Sequence, residues 1–332
     1  MAFPDLTALR EFAGWKAARA PAAPGPAPDA ESLRLAYLGL LKLALCDLVG
    51  TRTASVSRLM DGAVASRELS GEDRSFRAAG LDWPLHGLTM VGLNRLDDLQ
   101  ACVESVVRDG VEGDLIEAGA WRGGASMLMR ATLDSLGAGR TVVVADSFQG
   151  FPAADELGDL NAIDFLSVPL EEVQESFARL GLDDGVRFVA GFFEETMPAL
   201  AGGRWALIRL DADTYEATRA ALEALYPGLA VGGHVIVDDY GVMDRAECRR
   251  AVDEFRAEHG IAEPIEEVDW TCVRWRRTDG APIEVGPVSR RAPARAEALP
   301  RTRAPHVPTG RELELEREVA ALRSRPWRRR TR

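Results

Sequence analysis

Short apolar runs alternate with helical patterns through the centre of the chain, and this alternation constrains the fold more than any other feature. Several runs are almost continuously apolar, as strands buried on both faces of a sheet should be. Strands that alternate with helices at this spacing predict βαβ units and a mostly parallel sheet. The predicted strands are residues 114–117, 141–146, 186–190, 206–211 and 235–238, and the predicted helices are residues 125–136, 171–180, 216–226 and 244–258.

Segments of different composition flank this region and divide the chain into five parts. A helical pattern at 31–49 precedes the core, and apolar runs at 265–268 and 271–276 predict antiparallel edge strands at its end. The five predicted parts are a flexible Ala/Pro-rich N-terminus (1–30), a helical N-terminal or lid segment (31–112), the core (113–278), a disordered Arg/Pro-rich linker (279–310), and a short amphipathic helix with a basic tail (311–332).

The charge distribution argues against a nucleic-acid-binding body. The 332 residues carry a formal net charge of −12, although residues 279–332 contain 13 arginines against seven acidic residues. The body of the chain is therefore more acidic than the average suggests, and such a surface repels phosphate backbones. We expect no nucleic-acid partner.

Neither a membrane span nor a secretory leader is predicted. The apolar runs are shorter than the roughly 18–20 residues needed to cross a bilayer, and the N-terminal sequence lacks a basic segment followed by an apolar one. The four cysteines are scattered without a CxxC pair, which favours free buried thiols in a reducing compartment. We therefore expect a cytoplasmic protein.

A glycine-rich turn follows the first core strand. Residues 114–124 read DLIEAGAWRGG, so that a strand ending near Glu117 runs through Gly119 and Gly123 into a helix. Glycine lets the backbone approach a ligand closely, and a helix N-terminus offers free N–H groups. The glycines do not have the GxGxxG spacing of dinucleotide-binding proteins. The pattern indicates a ligand site, and the alternative is a turn in which glycine only permits tight packing.

Asp146 ends the second core strand, 29 positions after Glu117. An acidic residue at the tip of the neighbouring parallel strand is suited to binding a ribose diol. The alternative is an Asp that caps a loop or helix. The preceding glycine-rich turn favours the ribose interpretation.

Three carboxylates follow two later strands: Asp211 ends one strand, and Asp238 and Asp239 end the next. The carboxyl ends of parallel strands converge on one ligand crevice, where clustered carboxylates repel one another unless a cation neutralises them. A hard divalent ion with oxygen ligands fits, and Mg²⁺ would keep positions open for water and substrate. Asp213 is a fourth ligand or a helix cap, and we favour the cap.

These motifs, taken in order, resemble those of the macrocin O-methyltransferase family (TylF/NovP type), bacterial enzymes that methylate sugar hydroxyls on natural products. The similarity spans residues 31–277. It implies a class I S-adenosylmethionine-dependent methyltransferase fold, α/β and Rossmann-like, with a seven-stranded, mostly parallel sheet and helices on both faces. The motifs are Leu88-Thr-Met-Val-Gly92 with Arg95-Leu-Asp, Asp114-Leu-Ile-Glu with Trp121-Arg-Gly-Gly, Asp146-Ser-Phe-Gln-Gly, Asp211-Ala-Asp213-Thr-Tyr, and Gly232-Gly-His-Val-Ile-Val-Asp-Asp-Tyr240.

The resemblance implies a role for individual residues. Asp211, Asp238 and Asp239 would bind Mg²⁺, and Asp211 would also be the catalytic base. The residues expected to bind S-adenosylmethionine are Met90, Val91, Glu117, Gly119, Trp121, Gly123, Asp146, Ser147, Gly191 and Phe192. Thr214, where the family usually has Leu, and the His86-Gly87 pair depart from the family pattern close to where an acceptor would lie.

The sequence therefore predicts an S-adenosylmethionine- and Mg²⁺-dependent O-methyltransferase that acts on a small hydroxylated, glycosidic molecule by direct SN2 transfer. A metal-dependent methyltransferase of a phenol or catechol would need the same carboxylates. A scaffold that binds the cofactor without turnover is a third possibility, although it would have no reason to retain three aspartates. An NAD-dependent enzyme is disfavoured by the missing GxGxxG.

Self-association is a further expectation. The N-terminal helices, or the amphipathic segment 311–322, could pair with another copy of the chain, although a solvated, frayed helix explains the second pattern equally well.

Overall fold

The computed structural model describes residues 29–58, 64–71, 73–151, 164–241 and 246–285. The predictions for a flexible N-terminus, for most of the Arg/Pro-rich linker and for the C-terminal helix and tail lie outside these residues.

A seven-stranded sheet forms the centre of the molecule and confirms the predicted fold class. Its order is β6-β5-β4-β7-β8-β10-β9; the first five strands pair in parallel, β10 runs antiparallel to β8, and β9 antiparallel to β10. The strands are β4 (Asp114–Ala118), β5 (Val142–Asp146), β6 (Val186–Ala190), β7 (Trp205–Leu210), β8 (Leu229–Val237), β9 (Glu266–Glu267) and β10 (Val273–Arg276).

Helices cover both faces of this sheet. They are α1 (Ala30–Leu45), α2 (Arg74–Ala78), α3 (Gly92–Arg108), α4 (Gly124–Ser135), α5 (Leu170–Leu180), α6 (Phe193–Thr196), α7 (Tyr215–Leu225) and α8 (Ala246–Glu258). Alternate strand residues face opposite cores. Leu115 packs with α1, α3, α4 and α5, whereas its neighbour Ile116 packs with α7 and α8. Because both faces are covered, the central strands are mostly apolar, and this is the pattern from which the sequence predicts them.

The N-terminal segment contains a small sheet that the sequence did not predict. The strands β1 (Ala54–Arg58), β2 (Val64–Glu68) and β3 (Trp83–Pro84) pair antiparallel in the order β2-β1-β3. The prediction of a helical segment was therefore incomplete, because ASVSR and VASRE lack the apolar runs by which the core strands were recognised. The first helix also ends at Leu45, four residues before the predicted end.

Two differences in strand limits bear on the site. β7 and β8 end one residue earlier than predicted, so that Asp211 and Asp238 lie just beyond the strands at the carboxyl edge of the sheet. β8 begins at Leu229 and includes Gly232 and Gly233, which had been interpreted as a turn; the pairing of β7 with β8 is irregular there. No helix among the described residues is long and apolar enough to cross a membrane.

Candidate functional site

The three predicted metal ligands converge at the carboxyl edge of the sheet. Asp211 follows β7, and Asp238 and Asp239 follow the neighbouring parallel strand β8, which brings one carboxylate oxygen of each within 4.8 Å of the other two. The structure thus brings Asp211 together with two residues that follow it by 27 and 28 positions.

A buried arginine that the sequence analysis missed lies beneath these carboxylates. Arg209, on β7, is 2% exposed and donates to Glu117 at 2.5 Å, to Asp238 at 2.6 Å and to Asp211 at 3.1 Å. Its signal in the sequence was a single charge within the apolar run WALIRL, since a charged residue in a strand buried on both faces requires partners.

A second buried arginine reaches the same site from helix α3. Arg95 donates to Asp238 at 2.5 Å and to Asp269 at 2.7 Å. Both oxygens of Asp238 therefore accept from a guanidinium, one from Arg209 and one from Arg95. The two arginines supply positive charge that lets the acidic residues approach one another.

The aspartates of the acidic edge differ in their pKa shifts and in their hydrogen-bond partners. Burial and the neighbouring Asp238 raise the pKa of Asp211 to about 6. Burial, with Asp213, Asp211 and Asp238 adding to it, raises the pKa of Asp239 well above its usual value. The Oδ2 atom of Asp239 is buried without a hydrogen-bond partner. A buried oxygen in this state requires a proton or a cation, and the oxygen-only donor set fits a hard divalent ion such as Mg²⁺.

Asp213 is not the helix cap that we favoured. Thr214 occupies the N-cap of α7, and its hydroxyl oxygen accepts from the backbone N–H of Ala217 at 3.2 Å. Asp213 precedes it with a φ of 57°. The departure from the family pattern at Thr214 thus has a local explanation, since Thr caps a helix and Leu cannot.

The glycine-rich turn approaches the acidic edge so closely that side chains are excluded. Gly119 has a φ of 95°, and a Cβ there would overlap the carbonyl oxygen of Asp211. Gly123 has a φ of 82°, and a Cβ there would lie 2.7 Å from the ring of Phe177. Both positions therefore require glycine for conformation and for space.

The side chain of Asp146, at the end of β5, is hydrogen-bonded to the glycine-rich turn. Its Oδ2 accepts from the backbone N–H groups of Ala120 at 2.8 Å and Trp121 at 2.9 Å, and its Oδ1 from Phe148 at 2.8 Å. The hydroxyl of Ser147 donates to the carbonyl of Gly150 at 2.6 Å. The capping alternative for Asp146 is therefore realised in this structure, and its side chain also borders the cleft described next.

The glycine-rich turn and the acidic edge together line one cleft. Seven predicted site residues line it: Met90, Gly119, Trp121, Asp146, Ser147, Phe192 and Asp211. The remaining lining residues are Gly150, Phe151, Leu166, Phe193, Glu194, Ala212, Asp213, Thr214 and Ala217. The cleft thus joins the two motifs that the sequence singled out.

The other predicted site residues lie behind the cleft wall. Val91 is buried, Gly123 packs under the turn, and Gly191 follows β6 with a φ of 137°. Glu117 is 1% exposed; Arg209 and the Ser126 hydroxyl donate to its two oxygens, and burial raises its pKa to about 7. These four residues do not line the cleft, and their contact with a cofactor stays a prediction.

Comparison with known proteins gives the family. The macrocin-O-methyltransferase (TylF) model matches residues 42–277, well over half of the chain. The chain belongs to this macrocin O-methyltransferase family. An 8-demethyl-8-(2,3-dimethoxy-alpha-L-rhamnosyl)-tetracenomycin-C 4'-O-methyltransferase of Streptomyces olivaceus is 45% identical, over 78% of this chain and 99% of that relative. Mycinamicin III 3''-O-methyltransferase of Micromonospora griseorubida is 42% identical, over 73% of this chain and 96% of that relative.

A solved structure extends the match to three dimensions. The structure of the O-methyltransferase NovP superposes with a TM-score of 0.65 at 38% identity, covering 74% of this chain and all of that one. The predicted family and the predicted enzyme class are confirmed: this macrocin O-methyltransferase family member is an S-adenosylmethionine-dependent O-methyltransferase.

Proposed function

We propose that the enzyme methylates a sugar hydroxyl of a neutral, glycosylated natural product, with the cofactor against the glycine-rich turn and Mg²⁺ at the acidic edge. The observation that carries this proposal is the cleft itself, which is lined by Gly119 and Trp121 of the glycine-rich turn and by Asp211 of the acidic edge. Cofactor and acceptor must meet in a space of this kind for direct transfer.

Asp211, Asp238 and Asp239 would hold the Mg²⁺. When bound, this ion would supply a Lewis acid that lowers the pKa of the acceptor hydroxyl. The unpartnered oxygen of Asp239 and the clustering of three carboxylates support the assignment. The two arginines at Asp238 hold that side chain in place whether or not a cation is bound.

Asp211 is the proposed general base. It borders the cleft, and burial together with Asp238 raises its pKa to about 6, closer to neutral pH than an ordinary Asp. As the acceptor oxygen forms its bond to the methyl carbon, the carbon–sulfur bond breaks, the sulfur retains the electron pair, and Asp211 takes the hydroxyl proton. The fixed walls of the cleft would align oxygen, carbon and sulfur.

The remaining cofactor contacts are proposals of the same kind. Gly119 would let the backbone approach the methionine portion, with Met90 and Trp121 beside it. Asp146 and Ser147 would face the ribose, and Phe192 would lie against the adenine.

The charge of the cleft favours a neutral acceptor. Four of its lining residues are acidic, namely Asp146, Glu194, Asp211 and Asp213, and among the described residues no basic side chain lines it. A nucleotide-sugar diphosphate would meet repulsion there, whereas an uncharged glycoside would not.

A methyl-transfer screen with labelled cofactor tests this proposal. Uncharged deoxysugar glycosides, nucleotide sugars and catechols would be offered with Mg²⁺ and with EDTA. We expect transfer to the uncharged glycosides alone, and only with Mg²⁺. Equal transfer in EDTA would refute the metal role, and preference for nucleotide sugars or catechols would refute the acceptor class.

Location and self-association remain proposals. The four cysteines are buried and free, which fits a reducing cytoplasm.

On α1 the side chains of Leu33, Tyr37 and Leu40 are 56%, 46% and 58% exposed at spacings of four and three residues. This is the face through which the N-terminal helices would associate, and light scattering of wild type against Leu40→Glu measures it.

A further inference from the structure

Trp121 lies in the glycine-rich turn with a backbone conformation that a non-glycine residue seldom adopts. Its φ is 49°, in the left-handed region. Such a conformation persists only where the surroundings hold it, and it is found preferentially at functional sites. Since Trp121 also lines the cleft, the contacts that hold it bear on what the cleft can bind.

Three residues hold Trp121 through four contacts. Its backbone N–H donates to Asp146 at 2.9 Å, and its indole Nε1–H donates to the carbonyl oxygen of Phe165 at 3.2 Å. The guanidinium of Arg122 lies over the indole ring, 4.2 Å from its centroid. The ring of Phe165 packs against the indole at 5.4 Å between centroids. The backbone and the indole of Trp121 are therefore both held by neighbouring residues.

Arg122 reaches two further segments of the chain. Its Nη1 donates to the carbonyl oxygens of Pro84 at 3.3 Å, Leu85 at 3.0 Å and Gly87 at 2.8 Å, and its guanidinium lies 4.9 Å from the centroid of the Phe165 ring. Although burial lowers its pKa to about 10, Arg122 stays charged at neutral pH. One cation thus joins the stretch after β3, the glycine-rich turn and the segment that contains Phe165.

We propose that Arg122 is a positioning residue of the cofactor site, which holds Trp121 in its left-handed conformation as a wall of the cleft. This inference rests on the proposed place of the cofactor in that cleft. Neither Arg122 nor Phe165 borders the cleft, so the effect of Arg122 on binding passes through the Trp121 indole.

Calorimetry with S-adenosylhomocysteine measures the effect. Arg122→Met is expected to weaken binding about tenfold, the size of a coupling within one contact network. Arg122→Lys is expected to restore little, because an ammonium is not planar and cannot stack and reach three carbonyls together. Arg140→Met is the matched control: Arg140 also donates to backbone carbonyls, those of Gly113 and Val106, but away from the cleft. It should leave the affinity unchanged.

A double-mutant cycle with Trp121→Gly separates positioning from general damage. Glycine adopts a positive φ without strain, so Trp121→Gly removes the indole while keeping the turn. If Arg122 acts through Trp121, Arg122→Met should weaken binding about tenfold in wild type and less than about twofold in the Trp121→Gly background. Equal losses in both backgrounds, or an unchanged affinity of Arg122→Met, would overturn the proposal.

The variants Gly119→Val and Arg122→Met together distinguish a failure of this inference from a failure of the proposed function. Gly119→Val tests the cleft itself: if it leaves S-adenosylhomocysteine binding intact, the cofactor lies elsewhere and both proposals are refuted. If it abolishes binding while Arg122→Met binds normally, only the positioning role is refuted. Should Arg122→Met fail to fold, Arg122→Lys in the two backgrounds gives the same cycle.

Discussion

The two walls of the cleft are built by different physical means. The acidic wall consists of charged side chains, in which Arg209 and Arg95 neutralise carboxylates that would otherwise repel one another. The glycine-rich wall consists of backbone, in which Gly119 and Asp146 shape a turn through close approach and N–H bonds. The first wall should therefore respond to changes of charge and of pH, and the second to changes of shape.

The largest effect is expected where a cation is removed from the acidic wall. Arg209→Met would leave Glu117, Asp211 and Asp238 without their shared partner in a buried site. Breaking a buried ion pair costs about 3–5 kcal/mol of unfolding free energy, which urea denaturation would measure. Arg204→Met is the control, because Arg204 forms an exposed pair with Glu112 and such pairs contribute little. Equal losses in the two variants would contradict the charge-based account of this wall.

A side chain added at Gly119 tests the glycine-rich wall. Gly119→Val would place a side chain against the backbone of Asp211 at a φ of 95°, so we expect S-adenosylhomocysteine affinity to fall by more than about 100-fold, or about 2.7 kcal/mol. Gly139→Ala is the control, since a Cβ there meets no atom within 4 Å. Calorimetry measures both. Tight binding by Gly119→Val would show that the cofactor does not lie against this wall.

Some parts of the two walls can be predicted from the sequence, and others cannot. The carboxylates and the glycine-rich turn follow from local rules, because strand ends converge and a positive φ requires glycine. The arginines that complete the acidic wall do not. Arg209 was visible as a charge within an apolar strand, but its partners come from different strands, and Arg95 comes from helix α3. Identifying such partners requires the packing of distant segments.

The N-terminal segment shows the same limit. The strands of its small sheet contain too few apolar residues to show an alternating pattern. The segment contacts the glycine-rich turn through Arg122, which donates to the carbonyl oxygen of Gly87. Carbonyl groups carry no sequence signature. The left-handed conformation of Trp121 was equally hidden, since local rules assign positive φ to glycine.

Within the acidic wall, carboxylates bonded to arginine and to another aspartate should respond in opposite directions. Asp238→Asn removes a charge that two arginines require, and the metal-free protein should lose about 2 kcal/mol of unfolding free energy. Asp239 is bonded to Asp211, and burial and the neighbouring aspartates raise its pKa well above its usual value. Asp239→Asn removes this disfavoured carboxyl, and the metal-free protein should gain about 1 kcal/mol at neutral pH. Both variants should lose Mn²⁺ binding, measured by electron paramagnetic resonance, and methyl transfer. A loss of stability in Asp239→Asn would contradict this difference between the two carboxylates.

The smallest expected effect is the pH dependence of the stability of the metal-free enzyme, which should rise as the pH falls from 8 to 6.5. Burial raises the pKa of Glu117 to about 7, so that between its unfolded value and pH 7 the folded chain binds more protons than the unfolded one. Stability contributed by such a group falls as pH rises, so lowering the pH from 8 to 6.5 should add about 1 kcal/mol to the unfolding free energy.

His234 opposes part of this gain, because burial lowers its pKa to about 4 while the unfolded chain already binds the extra proton near pH 6.5. The measurement is thermal unfolding in EDTA between pH 8 and 6.5, where we expect the Tm to rise by about one or two degrees. In Glu117→Gln this rise should be smaller, since the titrating carboxyl is gone. A Tm that stays unchanged or falls over this range in wild type would mean that Arg209 outweighs burial and keeps Glu117 ionised. The pair of Glu117 and Arg209 would then contribute no pH dependence between pH 8 and 6.5.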